Sequence, residues 1–303
     1  MKKICLILCL VLCLCGCSVK EAPSGLSVVA VNFPAYDFAR AVLGDKGEIS
    51  MLLPTGASVH SFEPSPADIM KIEKADVFIF TGGESDTYIK KILSADENAD
   101  RITINMCEIS GIHQEEHEHS HSHEHRDEHV WLSPDNAKAI VMEISRALSK
   151  CAPQHREFFN SRSESYCKRI DEVADETRAA VTAAPIKNLV VADRFPFSHL
   201  CEYYSLSHTA AFSACDNFAD ADAKTVASII DTVREHGLSF VFCCDGGSDS
   251  LKNAVCEETG ARALTLYSLD SISDEDFKNG NTYIDFMIKN KQALERGLTR
   301  DAD

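Results

Sequence analysis

The sequence predicts an α/β protein with two (βα)4 lobes, each around a parallel sheet, joined by one long helix and leaving a cleft between them. Three observations predict it. Short apolar runs rich in β-forming residues alternate with helical patterns, the signature of βαβ units and parallel sheets. The alternation occurs twice, with four strands each time. Between the two series, the stretch that begins HREFFNSRSESYCKRI runs for about thirty residues without Gly or Pro, long enough to pass from one lobe to the other.

In the first series, LSVVAVNF (26–33) reads as a buried strand followed by a helix over Ala35–Leu43. EISMLLP (48–54) is a second strand, with a helix in PADIMKIEKA, and DVFIFTG (76–82) a third, with a helix in SDTYIKKILSA. RITINMCEI (101–109) is the fourth. SPDNAKAIVMEISRALSK then reads as a capped helix that stops before Pro153. In the long helix, Phe159, Tyr166, Ile170, Val173, Thr177 and Val181 fall on one stripe. The second series has strands at NLVVAD (188–193), SHTAAFSA, LSFVFCCDG and ARALTLYSL. Its helices lie in PFSHLCEYYS, AKTVASIIDTVREHG, SLKNAVCEETG and the closing TYIDFMIKNKQALERGL.

The division expected is an N-terminal lobe over 26–152, a linking helix over 153–184 and a C-terminal lobe over 185–303. Ahead of them, residues 1–17 read as a signal segment and 18–25 as a polar tether. MKK is a positive start, ICLILCLVLCLCG an apolar run of signal-peptide length, and Leu14-Cys15-Gly16-Cys17 resembles a lipobox in which Cys17 is lipidated. Cleavage before Cys17 removes Lys2 and Lys3 and no acid, taking the net charge from −17 to −19. So acidic a chain lacks the basic footprint that nucleic acid needs. Hydrophobic and charged contents of 45% and 25% are those of a folded globular protein. Eight cysteines besides Cys17 remain after the signal, with no CxxC spacing, and leave disulfide pairing open.

In α/β folds, ligand sites lie beyond the carboxyl ends of strands. His60, in TGASVHSFEPSP, follows a strand and precedes a helix, so it is placed to face the cleft. Seven of the twelve histidines lie between His113 and His129. His113, His117, His119, His121, His123 and His125 alternate with Glu and Ser in a run that has no apolar face, so a loop (113–128) is expected, able to gather soft or borderline metal ions loosely. His129 differs. It adjoins the chain's one tryptophan, Trp131, and the Ser133-Pro134 helix start, where Ser is a good N-cap and Pro a good first residue.

The stretches GASVHSFEPSPADI, GGESDTYIKKIL, EHVWLSP and GNTYIDFMIKNKQALERGL, with the His-rich loop and the long helix between them, resemble the zinc- and manganese-binding lipoproteins of ABC importers, the helical-backbone metal receptors. The resemblance spans nearly the whole mature chain. It implies one divalent metal held between the lobes, with His60 and His129 as first-lobe ligands. It also implies a membrane permease with a cytoplasmic ATPase as partner, and a monomer anchored by lipid to the outer face of the cytoplasmic membrane. The chain departs from the family in the second lobe. Where a histidine or glutamate is expected stands Arg194, which cannot lose its proton and so cannot ligate. Asp193, one residue earlier, and Asp245, at the end of LSFVFCCD, are the substitutes expected. His199 and Asp220 are possible ligands or supports, and Asp249 reads as a helix cap.

Zinc is the cargo expected from two imidazoles, two carboxylates and an imidazole-rich loop. Manganese is the alternative, and an iron receptor of the same kind or a surface protein that buffers metal or adheres are others. An exported zinc hydrolase is disfavoured because there is no HExxH, and the chain is not expected to be an enzyme. No GxxxxGK[ST] is present, so ATP hydrolysis is left to a partner.

Overall fold

A computed structural model describes residues 25–57, 59, 62–83, 86–95, 98–109, 127–213, 223–247 and 249–300. Cys17, His60, the histidines from His113 to His125, and Asp220 lie outside the described residues. The first lobe holds β1 (Leu26–Ala30), α1 (Phe33–Leu43), β2 (Gly47–Met51), α2 (Pro66–Lys74), β3 (Val77–Phe80), α3 (Thr87–Ala95) and β4 (Ile102–Asn105). After a 3-10 turn at Val130–Leu132 come α4 (Pro134–Cys151) and the long α5 (Arg156–Ala183). The second lobe holds β5 (Asn188–Phe195), α6 (Ser198–Tyr204), β6 (Ser207–Ser213), α7 (Ala223–His236), β7 (Phe240–Cys244), α8 (Asp249–Thr259), β8 (Arg262–Leu266), α9 (Asp274–Lys278) and α10 (Tyr283–Gly297).

The sheets run in the orders β2-β1-β3-β4 and β6-β5-β7-β8, and every pairing is parallel. Parallel sheets are covered on both faces, which explains the unbroken apolar runs of VFIF and FVFCC. Side chains alternate between those faces. Val28 and Ala30 of β1 join a large central core, whereas Val29 and Val31 join a smaller one beneath α2 and α3. Leu189 and Val191 of β5 join that same central core, and Val190 and Ala192 a third cluster under α7 and α8.

The central core passes from one lobe to the other, taking in Phe38 of α1, Trp131, Phe159 and Tyr166 of α5, and Tyr283 and Phe286 of α10. Buried Asp37 of α1 ties the junction. Its Oδ2 accepts from Tyr166 Oη at 2.6 Å and from the backbone N–H of Tyr283 at 2.8 Å, and its Oδ1 pairs with Arg40. In α5 the buried positions are Phe159, Ser163, Tyr166, Ile170, Ala174, Thr177 and Val181; Val173, expected on the stripe, lies half-buried beside it.

Caps set several ends. Ser65 and Asp68 form a capping box on α2, and Thr282 and Asp285 one on α10. Ser133 takes the N-cap position of α4 with Pro134 after it, but its side chain makes no capping bond. Asp249, expected as a cap, is the first residue of α8 and pairs with Lys252. No disulfide joins the seven described cysteines. Among the described residues no helix is long and apolar enough to cross a membrane.

Candidate metal centre between the lobes

His129 lies at the seam between the lobes, only 1% exposed. The chain around it is fixed by contacts across the seam. Trp131 Nε1 donates to the carbonyl of Ser268 at 2.8 Å, and Tyr283 Oη donates to the carbonyl of Trp131 at 2.7 Å. The His129 and Trp131 rings meet edge to face at 5.3 Å.

Both ring nitrogens of His129 face carboxylates. Nδ1 lies 2.6 Å from Asp127 Oδ1, and Nε2 lies 2.5 Å from Asp270 Oδ1, which the second lobe supplies from the turn after β8. Burial works to lower the pKa of the ring, but the charges of Asp270 and Asp127 outweigh it and carry the pKa to about 10. The metal-free ring is therefore an imidazolium at neutral pH, donating on both sides. Burial pushes Asp127 upward, but the His129 cation and its hydrogen bonds bring it below the ordinary carboxylate value. Asp127 Oδ2 also accepts from the backbone N–H of Ser198 at 3.0 Å.

Arg194 completes the row. Its Nη1 lies 2.7 Å from Asp270 Oδ2, so Asp270 is held at one oxygen by arginine and at the other by histidine. Burial opposes the Arg194 charge, and neighbouring Asp270 and Asp245 help to sustain it; its pKa is raised.

Among the described residues Asp193 and Asp245, the acids that the sequence proposes, make no hydrogen bond or ion pair with His129. Asp193 packs on Gly247, so tightly that a Cβ on that glycine would sit 1.6 Å from Asp193 Oδ2. Its Oδ1 accepts from the backbone N–H of Arg194 at 2.8 Å, its Oδ2 is buried with no partner among the described residues, and burial raises its pKa. The reason is local. Between Val191 and Arg194 three steps along β5 match two along β6, from Ala210 to Phe212. A bulge of this kind re-aims the side chains that follow it. Arg194, not Asp193, is the residue turned toward Asp270.

Asp245 supports the turn rather than facing the histidine. Its Oδ1 accepts from the N–H of Ser268 at 2.6 Å and its Oδ2 from that of Leu269 at 3.4 Å. Leu269 has a φ of +67°, a conformation that disfavours a branched side chain and that these two bonds help to hold. Asp245 thus positions the segment that ends at Asp270. His199, on α6, gives its Nε2–H to the carbonyl of Asp127 at 3.0 Å, and its Nδ1 has no partner among the described residues.

Asp270 and Asp127, the carboxylates on His129, are not among the residues that the sequence singles out. Asp270 follows LYSL at the end of a strand, the same placement that drew attention to Asp245, and that placement was the signal available. Asp127 stands in the charged run and carries no signal of its own. The loop that leads to His60 is tied to the segment just beyond Asp270. The N–H of Gly56 donates to the carbonyl of Ile272 at 2.8 Å, and Thr55 Oγ1 donates to Asp274. Among the described residues no group of three or more His, Cys, Asp or Glu side chains is arranged to hold a metal. The described part contributes one imidazole and one carboxylate at a 2.5 Å separation.

Comparison with known proteins bears on the chain as a whole. A family model described as zinc-uptake complex component A, periplasmic (ZnuA), matches residues 28–297. The chain is 30% identical over 307 residues to the zinc-binding lipoprotein AdcA of Streptococcus pneumoniae, an overlap of 98% of this chain and 61% of that protein. It is 27% identical over 281 residues to the high-affinity zinc uptake system protein ZnuA of Bacillus subtilis, an overlap of 90% and 88%. It spans under two thirds of the AdcA relatives' length. Among solved structures, the Zn(II)-bound ZnuA-like domain of S. pneumoniae AdcA is similar with a TM-score of 0.77 at 26% identity, covering 90% of this chain and 99% of that one. The metal-dependent lipoprotein YcdH from B. subtilis is similar with a TM-score of 0.79 at 25% identity, with the same coverage.

Proposed function

We propose that this chain, which belongs to the ZnuA family of periplasmic zinc-uptake complex components, captures Zn²⁺ outside the cytoplasmic membrane and delivers it to an ABC permease. The observation that carries the reading is the pairing of His129 Nε2 with Asp270 Oδ1 across the lobe seam. Zinc takes nitrogen and oxygen ligands at about 2.0–2.2 Å in tetrahedral sites, which sets such ligand atoms about 3.3 Å apart. The two atoms stand 2.5 Å apart, a separation that a hydrogen bond fits and a metal ion does not. In this reading zinc takes the place of the hydrogen-bonding proton, and the pair opens by about 0.8 Å to admit it.

His60 is the second imidazole, supported by the bonds that hold Thr55 and Gly56 against Ile272 and Asp274. Asp127 orients His129 from behind, the usual partner of a metal-bound imidazole. Asp245 fixes the turn that presents Asp270. Asp193 and His199 make no hydrogen bond with His129 or Asp270 and are not needed as ligands in this reading. The histidines from His113 to His125 gather metal near the site, and lipidated Cys17 keeps the receptor beside its permease. The named relatives support zinc as the cargo: AdcA is a zinc-binding lipoprotein and its ZnuA-like domain has been solved with Zn(II).

Calorimetry on the mature protein tests the reading. One zinc site tighter than about 1 μM is expected, lost in His129→Ala and Asp270→Ala and retained when residues 113–126 are deleted. A protein whose zinc binding survives both substitutions and disappears with the loop is a surface buffer, not this receptor.

A further inference from the structure

The carboxylate opposite His129 is not equally available at its two oxygens. Asp270 Oδ1 faces the imidazole, and Oδ2 receives Arg194 Nη1 at 2.7 Å. The arginine is set there by the β5 bulge, and its side chain is 15% exposed. A charge-assisted bond of this length is among the stronger ones a carboxylate makes, and arginine does not give up its proton to a competing metal. The backbone of Asp270 is held by its N–H to Ser268 Oγ at 3.3 Å and by the turn that Asp245 braces, and its carboxylate is oriented by His129 on one oxygen and Arg194 on the other.

From this geometry we infer that Arg194 is a specificity-determining residue: by occupying the second oxygen of Asp270 it restricts that carboxylate to one metal bond and so favours zinc over manganese. The inference rests on the zinc site proposed above. Zinc is satisfied by four ligands, one oxygen from a carboxylate among them. Manganese prefers octahedral, oxygen-rich coordination, to which a carboxylate with two available oxygens contributes more. The arginine charge near the ion opposes every divalent cation alike, so it cancels in a ratio of affinities. What survives in the ratio is the number of oxygens that Asp270 offers. In this reading the arginine at a position where the family places a ligand is no loss of function but a means of holding coordination number low.

The test compares zinc and manganese affinities by competition in the mature protein, in a double-mutant cycle of Arg194→Met and Asp270→Asn. Arg194→Met is expected to lower the zinc-to-manganese affinity ratio about tenfold or more by releasing the second oxygen. In the Asp270→Asn background, where the side chain has a single oxygen, the same substitution is expected to leave the ratio unchanged. A ratio that Arg194→Met does not move, or moves equally in both backgrounds, overturns the inference. A second measurement needs no variant. The visible spectrum of the Co²⁺-loaded wild-type protein is expected to show the intense bands of four-coordination, and weak six-coordinate bands overturn the proposal. Failure of the site itself reads differently: zinc affinity is then the same in His129→Ala as in the wild type, whatever Arg194 does.

Discussion

Zinc capture by this protein should release a proton from His129, and the release should be measurable well above the pH at which histidines ordinarily titrate. The perturbation is the addition of Zn²⁺ to the metal-free protein at pH 8. There the ring of His129 stands between Asp127 and Asp270 at 2.6 and 2.5 Å with its pKa at about 10, so it still carries both protons. An unperturbed histidine, with a pKa near 6.5, is already neutral. Zinc needs the Nε2 lone pair, so one proton leaves for each ion bound. At pH 7 the cost of that deprotonation is about three pH units, or about 4 kcal/mol, which the zinc bonds must exceed. The sign for stability follows from the same shift. The folded pKa is raised above the unfolded one, so this contribution to the metal-free fold is complete below about pH 6.5 and is lost as the pH rises through about 10. Apparent zinc affinity runs the opposite way, rising about tenfold per pH unit up to that value. Calorimetric titration at pH 8 in buffers of different ionisation enthalpy counts the protons. About one per zinc is expected in the wild type and fewer in Asp127→Asn, which keeps the proposed ligands and removes one of the charges that hold the proton. No release at pH 8 in the wild type refutes the imidazolium and the exchange built on it.

Three other substitutions separate the parts of the site. Asp193→Asn should leave zinc affinity within about threefold of the wild type, since that side chain packs on Gly247 away from the histidine; a loss of a hundredfold in a zinc titration would make Asp193 a ligand after all. Asp245→Ala should lower stability by about 2–4 kcal/mol in urea unfolding, because the N–H groups of Ser268 and Leu269 lose a buried acceptor, and should weaken zinc about tenfold by loosening Asp270. Trp131→Phe should cost about 2–3 kcal/mol by the same measurement, from lost volume and the lost bond to Ser268, with the zinc stoichiometry unchanged.

The two-lobe architecture was legible because parallel strands covered on both faces leave apolar runs, and because α5 contains no helix breaker. The buried face of α5 was less so. Ser163 and Ala174 are buried on it, and so small a side chain gives little hydrophobic signal. Five-residue α9 is too short for a periodicity to declare it. At the site, His129 could be read because its neighbours Trp131 and Pro134 mark a fixed segment. Asp270 shares with Asp245 a place after a strand, but nothing in the sequence pairs it with His129, 141 residues away and joined to it only by the fold. At Asp193 alternation along the strand is interrupted by a bulge, and one residue of register decides that Arg194 is the side chain on Asp270. The same reading that ruled Arg194 out as a ligand left its contact with Asp270 unseen.

The position of the metal tests the central claim most directly. A crystal of the zinc-loaded mature protein, with anomalous data collected at the zinc edge, is expected to show one full-occupancy peak bonded to His129 Nε2 and Asp270 Oδ1, with the His60 imidazole beside it and Arg194 still on Asp270 Oδ2. A peak on Asp193 and Asp245, or peaks confined to the histidines from His113 to His125, would contradict it.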